Sequence, residues 1–184
     1  MTVTEFSKLL IPPKKLAFTG SPAEWKEAEK QLRTPLPQDY KWFVAQFGDG
    51  NIDELNILNP FTTNPHKCLD FSPDSKAAVL LEELRMWRKS EFSADFPFPA
   101  FPEPGGLLPC ASWDRVTIYW QTMGEPDGWK IVVEDQLAIT EVKLFNESLT
   151  SFLHGILSGR IRHRAFKHLR SMVPIQMRGS GSIF

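Results

Sequence analysis

The sequence contains little cysteine, no long apolar run and no acidic residue near its end. Only Cys68 and Cys110 occur among its 184 residues, which excludes a disulfide scaffold and favours a reducing compartment. The longest purely apolar stretch covers residues 77–81, far short of the roughly 20 residues that cross a bilayer. The first residues lack the basic and apolar blocks of a secretory signal. We therefore expect a cytoplasmic protein with no membrane association.

No set of residues suited to catalysis or metal binding stands out. The sequence has no Gly-Lys-Ser/Thr phosphate loop and no Gly-x-Gly-x-x-Gly after a predicted strand. The His66-x-Cys68 pair lacks a second pair at zinc-binding spacing, and so does the pair His163 and His168. Cys110 follows a proline in a predicted strand, where a buried thiol is usual. We predict no catalytic residue, no metal site and no cofactor, and hence a protein that is not an enzyme.

The charge is distributed unevenly. The chain carries 21 basic and 22 acidic residues, a net charge of −1. Residues 160–184 hold six basic and no acidic side chains, which leaves 15 basic against 22 acidic side chains and a balance of −7 in residues 1–159. An acidic body with a basic terminal segment indicates charged partners without naming one.

Hydrophobic periodicity and turn chemistry predict the elements. A capping box formed by Ser21 and Glu24 begins a first helix, and Gly48 ends a second. A third helix begins at Ser72, a fourth is capped by Asn146 or Ser148, and a short terminal helix covers residues 162–172. The predicted strands cover residues 52–58, 107–112, 116–122, 129–134 and 138–144.

The order of these elements indicates an α+β fold. The last four strands follow one another with turns between them, so adjacent strands are expected to pair antiparallel. We predict a single antiparallel or mixed sheet of about five strands with helices packed on it. The predicted organisation is an N-terminal arm over residues 1–20, an α+β domain over 21–159, and a basic helix with a flexible tail over 160–184.

Several of these elements carry motifs of a known family. The most specific is Leu36-Pro37-Gln38-Asp39-Tyr40, which leads into an aromatic helix and then Phe47-Gly48-Asp49-Gly50. Weaker matches are Trp25 with Glu29 and Leu32, Leu107-Leu108-Pro109, Ile118-Tyr119-Trp120, Trp129-Lys130-Ile131-Val132, and Ser148-Leu149-Thr150-Ser151-Phe152-Leu153. Over about residues 20–160 the sequence resembles the SUKH superfamily, in particular the branch similar to the yeast cell-wall assembly regulator.

This resemblance implies a fold and a kind of function. It implies helices packed on one antiparallel sheet and no enzymatic role. Bacterial proteins of this kind resemble immunity proteins, which bind and neutralise a cognate polymorphic toxin, often a nuclease, whereas fungal relatives are regulatory scaffolds. The resemblance therefore favours a bacterial antitoxin whose partner is a toxin domain, with a regulatory scaffold as the alternative. Contact residues do not carry over, because each member binds its own toxin.

Acidic and aromatic residues near strand ends and turns are the candidate binding groups. An acidic surface suits a basic, phosphate-binding toxin and speeds association by electrostatic steering. The candidates are Asp49, Asp53, Glu54, Asp114, Glu125 and Asp127, with Trp120 or Trp129 as an aromatic anchor.

Three other features have two interpretations each. The basic segment 160–178 predicts either a helix docked on the body, which we favour, or a nucleic-acid-binding element. Its candidate contacts are Arg160, Arg162, Arg164, Lys167 and Arg170. Trp42 either packs under the N-terminal arm or serves as an exposed anchor. The phenylalanines of the 96–104 connector either cover an edge of the sheet or offer a surface to a partner.

Overall fold

The structure is a computed structural model that describes residues 5–6, 8–90, 96–136, 141–169 and 175–177. Within these ranges lie four α-helices, α1 Pro22–Leu32, α2 Gln38–Phe47, α3 Lys76–Lys89 and α4 Leu149–Ser158. The strands in the same ranges are β1 Leu10–Ile11, β2 Asn51–Ile52, β3 Leu55–Ile57, β4 Leu107–Trp113, β5 Val116–Gln121, β6 Lys130–Asp135, β7 Glu141–Phe145 and β8 Ile175–Gln176. No helix in these ranges is both long enough and apolar enough to cross a membrane.

The described residues form one six-stranded antiparallel sheet, in the order β2-β3-β4-β5-β6-β7. This confirms the predicted α+β class. The strand predicted over residues 52–58 is instead a hairpin of two strands, because Asp53 adopts φ 53° and turns the chain. Residues 138–140 of the last predicted strand lie outside the described residues, and β7 continues from 141.

Side-chain alternation gives the sheet two buried faces. Val116, Ile118 and Trp120 of β5 lie on the face that packs against the helices, as their spacing predicts. Tyr119 lies on the opposite face, where it joins a smaller cluster with Phe96 of the 96–104 connector. The connector therefore covers part of this face, whereas the predicted cover was of an edge. Its backbone also pairs with β4, since the Leu107 N–H donates to the Pro99 carbonyl at 2.8 Å and the Phe101 N–H donates to the Leu107 carbonyl at 3.2 Å.

Helix α2 presents its predicted aromatic stripe to the core. Tyr40, Phe43, Val44 and Phe47 are all at most 1% exposed, and burying a side chain of this size stabilises a fold by about 1.5–3 kcal/mol. Tyr40 also donates its hydroxyl hydrogen to the Leu58 carbonyl oxygen at 2.6 Å. This stripe packs α2 into the main core cluster, and Tyr40 joins the helix to the sheet through the ring of Trp120.

Two helix starts show how local chemistry decides a boundary. Ser21 Oγ accepts from the Glu24 N–H at 3.3 Å, and the Glu24 carboxylate accepts from the Ser21 N–H at 2.7 Å, which confirms the predicted capping box. The predicted start of α3 at Ser72 is wrong. Ser75 caps this helix by accepting from the Ala78 N–H at 3.2 Å, while its own hydroxyl donates to the Asp70 carbonyl at 2.8 Å.

The segment before α1 and the segment after α4 pair with each other beside the core. Strand β1 pairs in parallel with β8, Leu10 opposite Ile175. Phe6 is fully buried, 5.9 Å from the rings of Trp42 and Phe43. Both segments therefore contribute to the core, and the division at residues 20 and 159 stays a prediction.

The helix predicted over residues 162–172 is wrong for the part that the structure describes. Residues Arg164–Phe166 form a single 3-10 turn, and His163 Nδ1 accepts from the Ala165 N–H at 3.3 Å. Ala165, Phe166 and Leu169 are buried, so the expectation that this segment docks on the body is met without an α-helix. Residues 170–172 and the predicted tail 178–184 lie outside the described residues.

We expect Gly48→Ala to destabilise the protein strongly. Gly48 has φ +65°, and a Cβ there would lie 2.3 Å from the Ala17 carbonyl oxygen. Gly124→Ala is the matched control, because Gly124 has φ +73° with no heavy atom within 4 Å of a Cβ. In urea unfolding the control should lose about 1–2 kcal/mol from backbone strain, and Gly48→Ala about 3 kcal/mol or more. Equal losses would contradict the close approach of the N-terminal segment to α2.

Candidate functional site

The predicted acidic residues divide between the two ends of the sheet. In an antiparallel meander the turns alternate between the ends, so the β2–β3 and β4–β5 turns lie together and the β5–β6 loop lies opposite. Asp53, Glu54 and Asp114 therefore share one end, which we call the acidic end together with Trp113. Glu125 and Asp127 belong to the opposite end. The predicted set is not one surface.

Trp113 is the centre of the acidic end. Its indole Nε1 donates to Glu54 Oε2 at 2.5 Å, and its ring lies 4.3 Å from the ring of His168. His168 Nε2 is in turn 3.8 Å from Asp53 Oδ2. Trp113 is half-buried, while Glu54 and Asp114 are exposed. The arrangement holds an aromatic side chain in a defined orientation beside two exposed carboxylates.

The two tryptophans predicted as aromatic anchors, Trp120 and Trp129, are core residues. Trp120 is 1% exposed and Trp129 is 5% exposed. Trp120 packs edge-to-face on Tyr40 at 4.9 Å, and Trp129 donates its Nε1 hydrogen to the Gly124 carbonyl at 3.1 Å. Neither offers appreciable side-chain area to a partner. Strand alternation alone does not identify Trp113, but its position at the end of β4 beside Asp114 is a signal that could have found it.

The remaining predicted acids have structural contacts of their own. Asp49 is 1% exposed and accepts from the Thr62 hydroxyl at 3.1 Å. Asp127 accepts from the Gln38 N–H at 2.6 Å and so joins the β5–β6 loop to the start of α2. Glu125 is exposed and directly precedes the 3-10 turn Pro126–Gly128.

The basic segment neutralises acids of its own chain. Arg164 Nε donates to Asp135 Oδ2 at 2.7 Å, and the Asp135 side chain is fully buried. Arg160 pairs with Glu147 and donates to the Ser151 carbonyl at 2.9 Å. The hydrogen bond from the Arg160 guanidinium holds the pKa of Glu147 below its usual value.

Arg162 and Lys167 are exposed as well, and unlike Arg160 and Arg164 they form no ion pair with the described residues. Arg170 lies outside the described residues. A phosphate backbone is bound by cations that are free to face it. Of the five predicted nucleic-acid contacts, two are held in ion pairs and two remain available within the described chain.

A second candidate site lies between the starts of two helices. We call this the helix-start groove; it has a volume of about 510 Å³. Its lining residues are Gln38, Asp39, Trp42, Ser148, Thr150 and Ser151. Asp39 Oδ2 accepts from both the N–H and the hydroxyl of Thr150, at 2.9 and 3.0 Å. Sequence reasoning missed this groove because α2 and α4 are far apart along the chain.

Trp42 packs under the N-terminal arm, as one of its two interpretations predicts, and its role as an exposed anchor stays a prediction. Its ring lies 5.9 Å from Phe6, which belongs to the predicted N-terminal arm. It is nevertheless only half-buried and lines the helix-start groove. Packing under the arm therefore positions the indole and leaves part of it accessible.

The cysteines lie in surroundings that keep them protonated. Burial, followed by the hydrogen bond to Asp70 at 3.2 Å, raises the pKa of the Cys68 thiol to about 12. Burial raises the pKa of Cys110 well above its usual value. A thiolate is the nucleophilic form of cysteine. Within the described residues, no group of three or more His, Cys, Asp or Glu side chains is placed to hold a metal ion.

The fold defines an α+β protein in which helices cover one antiparallel sheet. The SUKH_6 family, described as SMI1-KNR4 cell-wall, matches residues 22–153, well over half of the chain. The protein therefore belongs to this family, and the resemblance seen in its motifs is confirmed. No curated protein and no solved structure matches the chain.

We expect Arg164→Ala to destabilise the protein by about 1–3 kcal/mol, because it removes a charged hydrogen-bond donor from a buried carboxylate. Arg162→Ala removes the same charge from an exposed position and should stay within about 0.5 kcal/mol of wild type. Urea unfolding measures both. Equal losses would contradict a structural role for the Arg164–Asp135 pair.

Both thiols should resist iodoacetamide at pH 8 in the folded protein. With a pKa of about 12 for Cys68, its thiolate fraction is about 10³ times smaller than that of an unfolded cysteine, and alkylation should slow by a similar factor. Mass spectrometry of native and urea-unfolded samples measures the two rates. A cysteine that reacts equally fast in both samples would reopen the possibility of a catalytic nucleophile.

Proposed function

We propose that this protein is a cytoplasmic, non-enzymatic immunity protein of a bacterium, which binds a cognate toxin domain and occludes its active site. Membership of the SUKH_6 family supports a domain of this kind. The excess of acidic side chains in residues 1–159 supports a basic partner. The protonated, buried cysteines support a role in binding over one in nucleophilic catalysis.

The observation that carries the proposal is the fixed position of Trp113 at the acidic end. Interface hot spots are enriched in tryptophan, and an aromatic side chain that is already oriented loses less entropy on binding. Glu54 holds the indole from one side and His168 packs against its ring. Exposed carboxylates around such an anchor increase the association rate with a basic partner.

Nucleic-acid binding is the weaker candidate. Arg160 and Arg164 are engaged with Glu147 and Asp135. Binding a phosphate backbone through these cations would require breaking both pairs, and it would leave the buried Asp135 carboxylate without this guanidinium. Arg162 and Lys167 alone provide few phosphate contacts.

The proposal predicts that a gene beside this one encodes a toxin domain, and the test uses that domain with the full chain. Association and dissociation rates are measured at low and high salt, together with rescue of growth in cells that express the toxin. The double variant Glu54→Gln/Asp114→Asn should lower the association rate about tenfold at low salt, with little effect at high salt. Trp113→Ala should weaken affinity about 30-fold, mainly through faster dissociation.

Glu125→Gln is the matched control, because it removes one negative charge from an exposed position at the opposite end. Its association rate should stay close to that of wild type. An equal effect of Glu125→Gln and of single Glu54→Gln would mean that only net charge matters. No binding of the toxin domain, together with tight salt-dependent binding of DNA or RNA, would overturn the proposal in favour of the nucleic-acid alternative.

A further inference from the structure

The helix-start groove is a defined concavity outside the acidic end. Its volume of about 510 Å³ lies within the range of pockets that bind small ligands or side chains. The bonds from Thr150 to Asp39 hold the first turns of α2 and α4 side by side. The groove is therefore built from two helices whose relative position is fixed by a carboxylate.

One oxygen atom of the Asp39 carboxylate is available to accept a hydrogen bond from a ligand. Asp39 Oδ2 accepts both bonds from Thr150, whereas Oδ1 accepts no hydrogen bond from the described residues. Asp39 is half-buried at the groove, and within the described chain no cation lies within ion-pair distance of it. Glu147, which also contacts Ser151, differs in that Arg160 neutralises it. Asp39 thus brings to the groove a negative charge that no cation of the described residues neutralises.

The helix starts themselves do little to attract an anion here. The N-terminus of a helix carries a partial positive charge of about +0.5. However, the Gln38 N–H already donates to Asp127 at 2.6 Å, and the Thr150 N–H donates to Asp39 at 2.9 Å. Two carboxylates therefore occupy one amide group of each helix start, and they add negative charge beside the groove.

Trp42 adds an aromatic ring to the carboxylate of the helix-start groove. Trp42 is half-buried, and Phe6 and Phe47 lie 5.9 and 6.4 Å from it, which restricts the orientation of its indole. An indole beside a carboxylate oxygen binds guanidinium or ammonium groups through cation–π attraction and a charged hydrogen bond. We propose that the helix-start groove binds a basic side chain, arginine above all, of the protein partner. This inference rests on the proposed function only for the source of that side chain.

The experiment titrates the full chain with N-acetyl-arginine amide and follows the indole N–H signal of Trp42 and the backbone amide of Ser151 by NMR. Both signals should shift in a saturable way. N-acetyl-citrulline amide, which has the same shape without the charge, should cause no saturable shift. Asp39→Asn should weaken arginine binding about tenfold, because it removes the charge and keeps an oxygen that can accept from Thr150.

Asp114→Asn is the matched charge control and should leave arginine binding unchanged. Trp42→Leu, followed at Ser151, gives a second test that does not depend on the stability of the Asp39 variant, and it should weaken binding at least fivefold. Equal shifts with citrulline amide, saturable binding of N-acetyl-aspartate amide in place of arginine, or unchanged affinity in both groove variants would overturn the proposal.

These outcomes are separate from the test of the proposed function. Loss of toxin binding in the acidic-end variants does not involve the groove, and arginine binding in the groove requires no toxin. A groove that binds arginine while no toxin domain binds the protein would leave this inference standing and reject the proposed partner. The reverse result would reject the groove alone.

Discussion

Tyr40 connects the helices to the sheet, and most of the core is arranged around it. Its hydroxyl donates to the Leu58 carbonyl just after β3, and its ring meets the indoles of Trp120 and Trp25 edge-to-face at 4.9 and 5.8 Å. Burial raises the pKa of the Tyr40 phenol well above its usual value, so the group remains a hydrogen-bond donor over the physiological range. One side chain thereby joins α1, α2 and the sheet through apolar contact and a satisfied polar group.

The position of α2 also determines where the groove forms. Because the aromatic stripe fixes the rotation of α2, Asp39 and Trp42 must point away from the sheet, toward α4 and the N-terminal segment. Asp39 then meets Thr150, and Trp42 meets Phe6. The chemistry of the groove follows from packing in the core, although no groove residue is itself part of the stripe.

Elements with strong local signals could be predicted from the sequence. The capping box at Ser21, the stripe of α2 and the alternation along β5 depend on neighbouring residues, and all three agree with the structure. The hairpin within residues 52–58 could not be predicted, since it needs Asp53 at positive φ, which few non-glycine residues adopt. Arg164 in the 3-10 turn donates to a buried carboxylate 29 positions earlier in the chain, and no periodicity of the sequence predicts that contact.

The candidate site was predictable in composition but not in arrangement. The charge balance indicates an acidic body, and the predicted strand boundaries show which turns carry the acidic residues. The sequence does not say which turns share an end, because that depends on strand order and on the long connection between β3 and β4. It also does not separate the buried Trp120 from the half-exposed Trp113, since both lie in strands and on the same face of the sheet and differ in their distance from the strand end.

The parallel pairing of β1 with β8 bears on how the chain folds during synthesis. Ile175 and Met177 belong to a cluster that includes Phe6 and Leu10, so this part of the core stays incomplete until residues 175–177 have left the ribosome. Contacts between such distant parts of a chain form slowly because a large loop must be closed first. Until then, apolar surface near α2 stays open to solvent and to chaperones. A protein built in this way completes its core only when translation has passed β8.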